Sequence, residues 1–182
     1  RYFADTLVDK PGILPETESV VGWHTDRAYW GTCTSDSMLT MWIPFQDCTV
    51  EMGPLLYIDG SHTWSGTEDM RTFRCKDLRG LEKQFPDKLP MTKIPMTLRR
   101  GELSVHHCRL IHGSGPNTSG TPRLALAVHL QDAHNRYRRY NNEKGIPWHI
   151  FLDDLASKLK DGSPDYSDPT IFPLLWEQPS VG

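Results

Sequence analysis

Two histidines and one aspartate have the residue types and spacing of a mononuclear metal site. His24 and Asp26 lie in one short His-Thr-Asp motif, and His112 lies much later, in the motif Leu-Ile-His-Gly-Ser-Gly. Two imidazoles and one carboxylate form the facial triad that binds non-haem Fe(II) and leaves coordination positions open for substrate and oxygen. Each motif alone is a weak signal. Together they predict a metal centre whose ligands and catalytic residues are His24, Asp26 and His112.

An arginine beyond the second motif indicates an anion site. Arg123 begins the apolar run Arg-Leu-Ala-Leu-Ala-Val. A charge buried in such a strand requires a partner, because an unpaired buried charge is costly. A guanidinium binds a carboxylate through two parallel N–H bonds, and Ser114 can add a hydroxyl donor. Iron with an anchored dicarboxylate defines a 2-oxoglutarate-dependent oxygenase, whereas a structural Asp or Glu partner for Arg123 is the alternative.

The elements that position these residues are predicted to be short strands. Residues i and i+2 of a strand share one face, so His24 and Asp26 can reach one metal from a single strand end. We expect His112 to lie at the end of another strand. Gly, Pro and Asp turns separate the apolar segments, which favours a β-barrel or sandwich with one helix at 147–160. The predicted strands are 1–8, 20–24, 38–45, 55–58, 94–98, 103–107 and 124–130.

Composition limits the class of protein. The 182 residues are 37% hydrophobic and 24% charged, which suits a single globular domain over 1–182. A net charge of −3 argues against a nucleic-acid partner. No apolar run approaches the roughly 20 residues that span a bilayer, so no membrane partner is expected. Four scattered cysteines indicate a reduced, cytoplasmic protein. The irregular, charged stretch 63–90 is predicted to be a lid or insertion.

Several other reactive side chains have simpler interpretations. His106 and His107 lie on opposite faces of one strand, so at most one faces the interior. We expect His107 to be a core histidine that lines the site without binding iron. A nucleophilic pair of Cys108 with His107 lacks an orienting carboxylate or amide. The basic and aromatic stretch 136–140 is interpreted as a solvated loop, with an anionic substrate such as a coenzyme A thioester as the alternative. His129 has no companion motif and is interpreted as structural or exposed.

From about residue 20 to 132 the chain resembles the phytanoyl-CoA dioxygenase (PhyH-like) family of Fe(II)/2-oxoglutarate-dependent oxygenases. The most specific block is 107–117 with Arg123, where histidine, serine and arginine keep the order and spacing of the family. The resemblance rests on Trp23-His24-Thr25-Asp26, Tyr29-Trp30, Trp42, Glu51-Met52-Gly53-Pro54-Leu55, Ile58-Asp59-Gly60-Ser61-His62, Gly101-Glu102, the segment His107–Asn117 and Arg123.

The resemblance implies a mainly β, double-stranded β-helix (jelly-roll, cupin-like) fold with a few peripheral helices. It implies iron on His24, Asp26 and His112, and 2-oxoglutarate on Arg123 and Ser114, with Trp42 as a further contact. The implied reaction uses O2 and 2-oxoglutarate to hydroxylate an unactivated C–H of a small organic molecule, releasing succinate and CO2. The expected partner is therefore a small-molecule substrate, and the oligomeric state stays open.

Two further expectations follow from the resemblance. Related halogenases carry a small residue where this chain has Asp26, so a carboxylate there favours hydroxylation. Members of the family commonly have an N-terminal helical segment, in which some place a lysine that helps to hold the co-substrate. The chain is expected to lack that segment, so no such lysine is assigned. The alternatives are a cupin-like metal dioxygenase without 2-oxoglutarate and a non-catalytic metal-binding member of the fold.

Overall fold

Eight short strands and two short helices make up the regular structure of the residues that can be described. The computed structural model describes residues 1–12, 19–142 and 144–177. The strands are β1 Tyr2–Lys10, β2 Val21–His24, β3 Leu39–Pro44, β4 Leu55–Ile58, β5 Lys93–Pro95, β6 Ser104–His107, β7 His112–Ser114 and β8 Arg123–Leu130. The helices are α1 Leu81–Gln84 and α2 Phe151–Leu155, and four single 3₁₀ turns lie between strands at Asp26–Ala28, Val50–Met52, Ser61–Thr63 and Pro86–Lys88.

The strands form two four-stranded antiparallel sheets. The first sheet has the order β1-β8-β3-β6 and the second β2-β7-β4-β5. In the first sheet, the β1–β8 register places Lys10 opposite Arg123. In the second sheet, the β2–β7 register places His24 opposite His112. Except for β4 and β5, strands that are adjacent in the sequence thus lie in different sheets, which is typical of a jelly roll. The predicted mainly β fold is therefore confirmed.

The segment 63–90 is anchored to the second sheet by its apolar residues. Met70, Leu81 and Phe85 are buried in one cluster with Trp23 and Ile111. Burying a large apolar side chain contributes roughly 1.5–3 kcal/mol, so the three together hold the segment firmly at these points. The predicted role of 63–90 as a lid stays a prediction. The region also contains α1, which the irregular sequence did not indicate.

One glycine allows the same segment to approach β2 closely. A Cβ added to Gly22 would lie 2.0 Å from the Thr72 carbonyl oxygen and 2.7 Å from that of Cys75. Because there is no side chain at this position, the amide of Gly22 donates to the Phe73 carbonyl at 3.0 Å. The backbone of residues 72–75 therefore runs directly along the strand that carries His24.

Two expectations about secondary structure were wrong in detail. The sequence predicts no strand between 107 and 124, but His112–Ser114 form β7, and His112 begins this strand instead of ending one. The helix predicted over 147–160 is confined to α2, because Ala156 takes an extended backbone and Lys158 then pairs with Pro164 as an isolated bridge. No helix among the described residues is long and apolar enough to cross a membrane.

Candidate metal centre and anion site

The three predicted ligands come together where β2 and β7 pair. His24 ends β2, His112 begins β7, and their ring centroids are 4.1 Å apart. Thr25 keeps an extended backbone, with φ −115° and ψ 143°, so the alternation of the strand continues to Asp26. One ligand atom from each of the three residues lies within 4.8 Å of the others. All three side chains are buried, so the donors converge inside the molecule.

Backbone hydrogen bonds orient both imidazoles with one nitrogen free. Nδ1 of His24 lies 2.8 Å from the Gly22 carbonyl oxygen, and Nδ1 of His112 lies 3.0 Å from that of Leu110. A carbonyl can only accept, so each Nδ1 carries the proton and each Nε2 keeps its lone pair. Metal-binding histidines in proteins are commonly oriented by such a contact. The donor set of two imidazole nitrogens and one carboxylate therefore fits Fe(II).

The two oxygens of Asp26 have different surroundings. Oδ1 lies 3.6 Å from Nε2 of His112, on the side of the imidazoles. Oδ2 accepts a hydrogen bond from Thr40 Oγ1 at 2.6 Å and lies 3.2 Å from Nε2 of His106. Two donors hold Oδ2, so Oδ1 is the oxygen that remains for a metal.

The donors to Asp26 are themselves hydrogen-bonded. The hydroxyl of Tyr57 lies 2.8 Å from Nδ1 of His106 and 2.9 Å from Ser104 Oγ. With Nε2 of His106 donating to Asp26, its Nδ1 can accept from Tyr57, so each of these side chains has a partner at both ends of the network. Thr40 also lies 2.8 Å from Nδ1 of His129 and can accept from it while donating to Asp26.

Electrostatics favours the ligand forms of these side chains. Burial opposes ionisation of Asp26, but the imidazoles of His112 and His106 together hold its pKa well below the ordinary value. Burial, reinforced by the neighbouring His24, holds the pKa of His112 well below its ordinary value, and burial lowers that of His24. The site therefore presents an ionised carboxylate and two neutral imidazoles, which are the protonation states that a metal requires.

A second group of side chains forms a cationic site beside β7. The ammonium of Lys10 donates to Ser114 Oγ at 2.6 Å and to the Gly115 carbonyl at 2.5 Å. Arg123 is Lys10's cross-strand neighbour, and its Nη1 donates to the Gly53 carbonyl. Both cations are buried, with 3% of Lys10 and 1% of Arg123 exposed. Neither forms an ion pair with an acidic side chain of the described residues.

The described residues do not use every hydrogen-bond donor of this cationic site. Nε of Arg123 is buried and has no hydrogen-bond partner among the described residues. The guanidinium carbon lies 5.2 Å from the ring centroid of Trp42, so the indole covers one face of the cation. Burial lowers the pKa of Arg123 to about 10, and burial together with the charge of Arg123 lowers that of Lys10 to about 7. A bound dianion would compensate both cations.

The metal and anion sites share one cavity of about 700 Å³. Its walls come from both sheets and from the segment 63–90. The lining residues that bear on function are His24, Asp26, His112, Ser114, Arg123, Trp42, Thr40, His106, His129, Tyr29, Trp30, Arg71, Phe73, Arg74 and Trp148. Every residue of the predicted metal and co-substrate sites thus reaches one cavity.

Other expectations about histidines require correction. His106, and not His107, faces the cavity, because β6 directs His106 inward and leaves His107 beside His62 at 5.9 Å between rings. His129 is also part of the cavity wall rather than merely structural or exposed. Cys108 does contact His107, with 3.9 Å between Sγ and Nδ1. Burial raises the pKa of Cys108 to about 12, however, so this thiol is no nucleophile near neutral pH.

Three residues of the two sites were not identified from the sequence. Lys10 lies beyond the predicted strand 1–8 and in fact ends β1, opposite Arg123. Thr40 and His106 were missed because their roles depend on the pairing of β3 with β6 and β8. The alternation of β3 was the available signal: Thr40 and Trp42 are buried on one face of this strand.

Comparison with known proteins identifies the family of the chain. A model of the phytanoyl-CoA dioxygenase (PhyH) family matches residues 4–125, and the chain belongs to this family. A phytanoyl-CoA dioxygenase domain-containing protein 1 from Danio rerio is 29% identical over 134 residues, covering 71% of this chain and 44% of that protein. A probable alpha-ketoglutarate-dependent hypophosphite dioxygenase from Stutzerimonas stutzeri is 27% identical over 121 residues, covering 65% and 42%. The chain thus spans less than half of these relatives.

Solved structures show the same fold. The epimerase SnoN in complex with Fe3+, alpha ketoglutarate and nogalamycin RO matches with a TM-score of 0.65 and 28% identity, over 90% of this chain and 61% of that one. The alpha ketoglutarate-dependent carbocyclase SnoK matches with a TM-score of 0.63 and 25% identity, over 82% and 59%. The predicted family and jelly-roll fold are confirmed, and the predicted iron and 2-oxoglutarate agree with the groups bound to SnoN.

Proposed function

We propose that this protein is an Fe(II)- and 2-oxoglutarate-dependent oxygenase that hydroxylates a C–H of a small organic molecule. The observation that carries the proposal is the pair of buried cations, Lys10 and Arg123, beside a buried His-Asp-His cluster. A cupin-like dioxygenase without 2-oxoglutarate would have no use for two cations without acidic partners. A structural role for Arg123 would require such a partner.

One set of residues would bind the metal, and another would bind the co-substrate. His24, Asp26 and His112 would hold Fe(II), which supplies the activation of oxygen when it is bound. Lys10, Arg123 and Ser114 would bind the distal carboxylate of 2-oxoglutarate. The hydrogen bonds at both Nδ1 atoms keep the imidazoles in a fixed orientation, so little reorganisation is required on binding.

The protein would contribute orientation and a largely apolar enclosure to the reaction. Trp42 covers the guanidinium of Arg123, and the aromatic side chains of the outer cavity exclude water from the bound co-substrate. Thr40 and His106 keep Oδ2 of Asp26 engaged, which favours binding of the metal through one carboxylate oxygen. A single-oxygen carboxylate leaves more of the metal's positions open for the other reactants.

Hydroxylation is the preferred outcome because Asp26 is present. Its carboxylate would take the metal position that a halide needs in a halogenase. The single domain over 1–182, with 63–90 as a lid over the cavity, remains part of the same proposal. Residues 71, 73 and 74 of this segment line the cavity, so a movement there would open or close it.

The test begins with anaerobic addition of Fe(II) and 2-oxoglutarate to the purified protein. The weak visible absorption band of iron-bound 2-oxoglutarate should appear only when both are present. Asp26→Ala and His112→Ala should lose the band and the formation of succinate in air. A band in either variant, or none in the wild type, would refute the proposed site. Incorporation of ¹⁸O from O2 into the product would then support hydroxylation, whereas an unoxygenated product would exclude it.

A further inference from the structure

The cavity also has lining residues that belong to neither the metal site nor the anion site. They are four aromatic side chains and two arginines from the segment 63–90. These residues are Tyr29, Trp30, Phe73, Trp148, Arg71 and Arg74. None of them is a proposed ligand of iron or 2-oxoglutarate.

Phe73 presents an apolar ring directly beside a metal ligand. Its ring centroid lies 4.9 Å from that of His24, with the planes at 74°. The side chain is nevertheless 46% exposed. The backbone is held in place, because Gly22 donates to the Phe73 carbonyl at 3.0 Å and Tyr29 Oη accepts from the Phe73 amide at 3.3 Å. A fixed and exposed aromatic ring in a cavity is a surface on which another ring can stack.

The two arginines differ in how far their donors are used. Arg71 donates through Nε to the Ala28 carbonyl at 2.7 Å and through Nη2 to Asp69 and the Tyr140 hydroxyl. Its guanidinium carbon also lies 4.4 Å from the ring centroid of Trp148, so Arg71 is a fixed structural element. Such an arrangement leaves Arg71 little capacity for a ligand.

Arg74 is the arginine that is available to a ligand. It lines the cavity and is exposed, and it forms neither a hydrogen bond nor an ion pair with any residue that the structure describes. Tyr29 is close enough to both arginines for their charges to act on it. An exposed cation that also lines the cavity can therefore pair with the acidic group of a ligand whose remainder lies inside.

Charge balance in the cavity points the same way. Asp26 is the single acidic side chain of the described residues that lines it, and this carboxylate faces the metal. Bound Fe(II), Lys10 and Arg123 would bring four positive charges, whereas Asp26 and 2-oxoglutarate would bring three negative charges. The charge of Arg74 is then left over, although the chain as a whole carries −3. A neutral or cationic substrate would leave it without a counter-charge.

We propose that the substrate is an aromatic organic acid, whose ring lies against Phe73 and whose acidic group pairs with Arg74. This inference rests on the proposed function, because the oxidised C–H must lie near His24, Asp26 and His112. The ring would place the molecule beside His24, and the acid would fix its outer end.

The test uses three probes of known chemistry on protein loaded anaerobically with Fe(II) and 2-oxoglutarate. Naphthalene-2-carboxylate carries both features, naphthalene-2-carboxamide lacks the charge, and decanoate lacks the ring. We expect the naphthoate to bind about three- to fivefold more tightly than either other probe, as measured by calorimetry. Its affinity should also fall with added salt, because Arg74 is exposed to solvent. Equal affinities of the carboxylate and the carboxamide would overturn the acid part of the proposal.

Variants separate the two contacts. Arg74→Gln should bring the naphthoate to within about twofold of the carboxamide and leave carboxamide binding unchanged. Phe73→Ala should weaken both aromatic probes by about three- to tenfold and leave decanoate unchanged. Arg79→Gln is the matched control, because Arg79 lies in the same segment, pairs with Asp77 and does not line the cavity.

Two results would overturn the inference: an equal loss in Arg79→Gln, or decanoate binding as tightly as the naphthoate. The visible band of iron-bound 2-oxoglutarate distinguishes this failure from that of the proposed function. A normal band with no preference for the aromatic acid refutes only the substrate class. Absence of the band in the wild-type protein refutes the proposed function itself.

Discussion

Replacement of Lys10 by methionine tests the anion site most directly. Methionine has a similar length but no charge, so packing around the 3%-exposed side chain should be kept. Lys10 uses two donors on Ser114 and Gly115, which leaves its third N–H for a carboxylate oxygen. A hydrogen bond to a charged group contributes roughly 1.5–3 kcal/mol, which corresponds to a Kd for 2-oxoglutarate roughly 10- to 150-fold higher in Lys10→Met.

The pH dependence gives this prediction a second, independent readout. Burial and the charge of Arg123 lower the pKa of Lys10 to about 7 in the free protein. A bound dianion favours the protonated form, so binding takes up a proton above pH 7. The wild-type Kd should therefore rise by up to about tenfold per pH unit above 7, and this rise should be absent in Lys10→Met.

Stability of the free protein should change in the opposite sense with pH. The unfolded chain keeps Lys10 protonated up to about pH 10.4, whereas the folded chain releases the proton near 7. The unfolded state binds more protons between these values, so the contribution of Lys10 to stability rises with pH across that window. Urea unfolding of both proteins at several pH values measures this contribution.

The reasoning about the anion site is wrong if the Kd for 2-oxoglutarate changes less than twofold in Lys10→Met, or if the Kd of the variant keeps the wild-type pH dependence. Lys93→Met, at an exposed ion pair with Glu82, is the control.

Three other substitutions test separate parts of the structure. Arg123→Leu should raise the 2-oxoglutarate concentration for half-maximal succinate formation by about tenfold or more, and an unchanged requirement would remove its role. His106→Leu should weaken metal binding about tenfold and alter the visible spectrum of the Co(II)-loaded protein. His106→Gln keeps a hydrogen-bond donor, so its metal affinity and Co(II) spectrum should stay closer to those of the wild type. A His106→Leu spectrum identical to the wild-type spectrum would contradict a role of His106 through Asp26. Gly22→Ala should lower the free energy of unfolding by about 1–3 kcal/mol, because its Cβ would meet the Thr72 carbonyl, and Gly115→Ala, which meets no atom within 4 Å, should cost less.

The sequence was most informative where local geometry decides the outcome. Alternation placed His24 and Asp26 on one face, and the structure keeps this alternation through the extended Thr25. An apolar strand that begins with a charged residue indicated a buried cation, and Arg123 is 1% exposed. These inferences needed only neighbouring residues and the cost of burying a charge.

What depends on strand pairing could not be predicted in the same way. Lys10 is close in sequence to a Pro-Gly turn, and its role appears only when β1 pairs with β8 and places it opposite Arg123. The sequence does not show which of the neighbours His106 and His107 faces the cavity. The choice between them follows from the register of β6 against β3, where His106 lies opposite Thr40, the other donor to Asp26. Long-range register is set by packing across the whole sheet, which a local pattern does not encode.

The division of the two sites between the two sheets has a mechanical consequence. The second sheet contributes His24, His112 and Ser114, whereas the first contributes Lys10 and Arg123. Iron and 2-oxoglutarate, bound together, would connect the two sheets, so the sheets could separate only after the ligands had dissociated. Each ligand would then stabilise the arrangement of the two sheets to which the other ligand binds. Occupancy of one site should therefore raise the affinity of the other site, and both ligands should raise the melting temperature. In this arrangement the co-substrate is also a transient part of the scaffold.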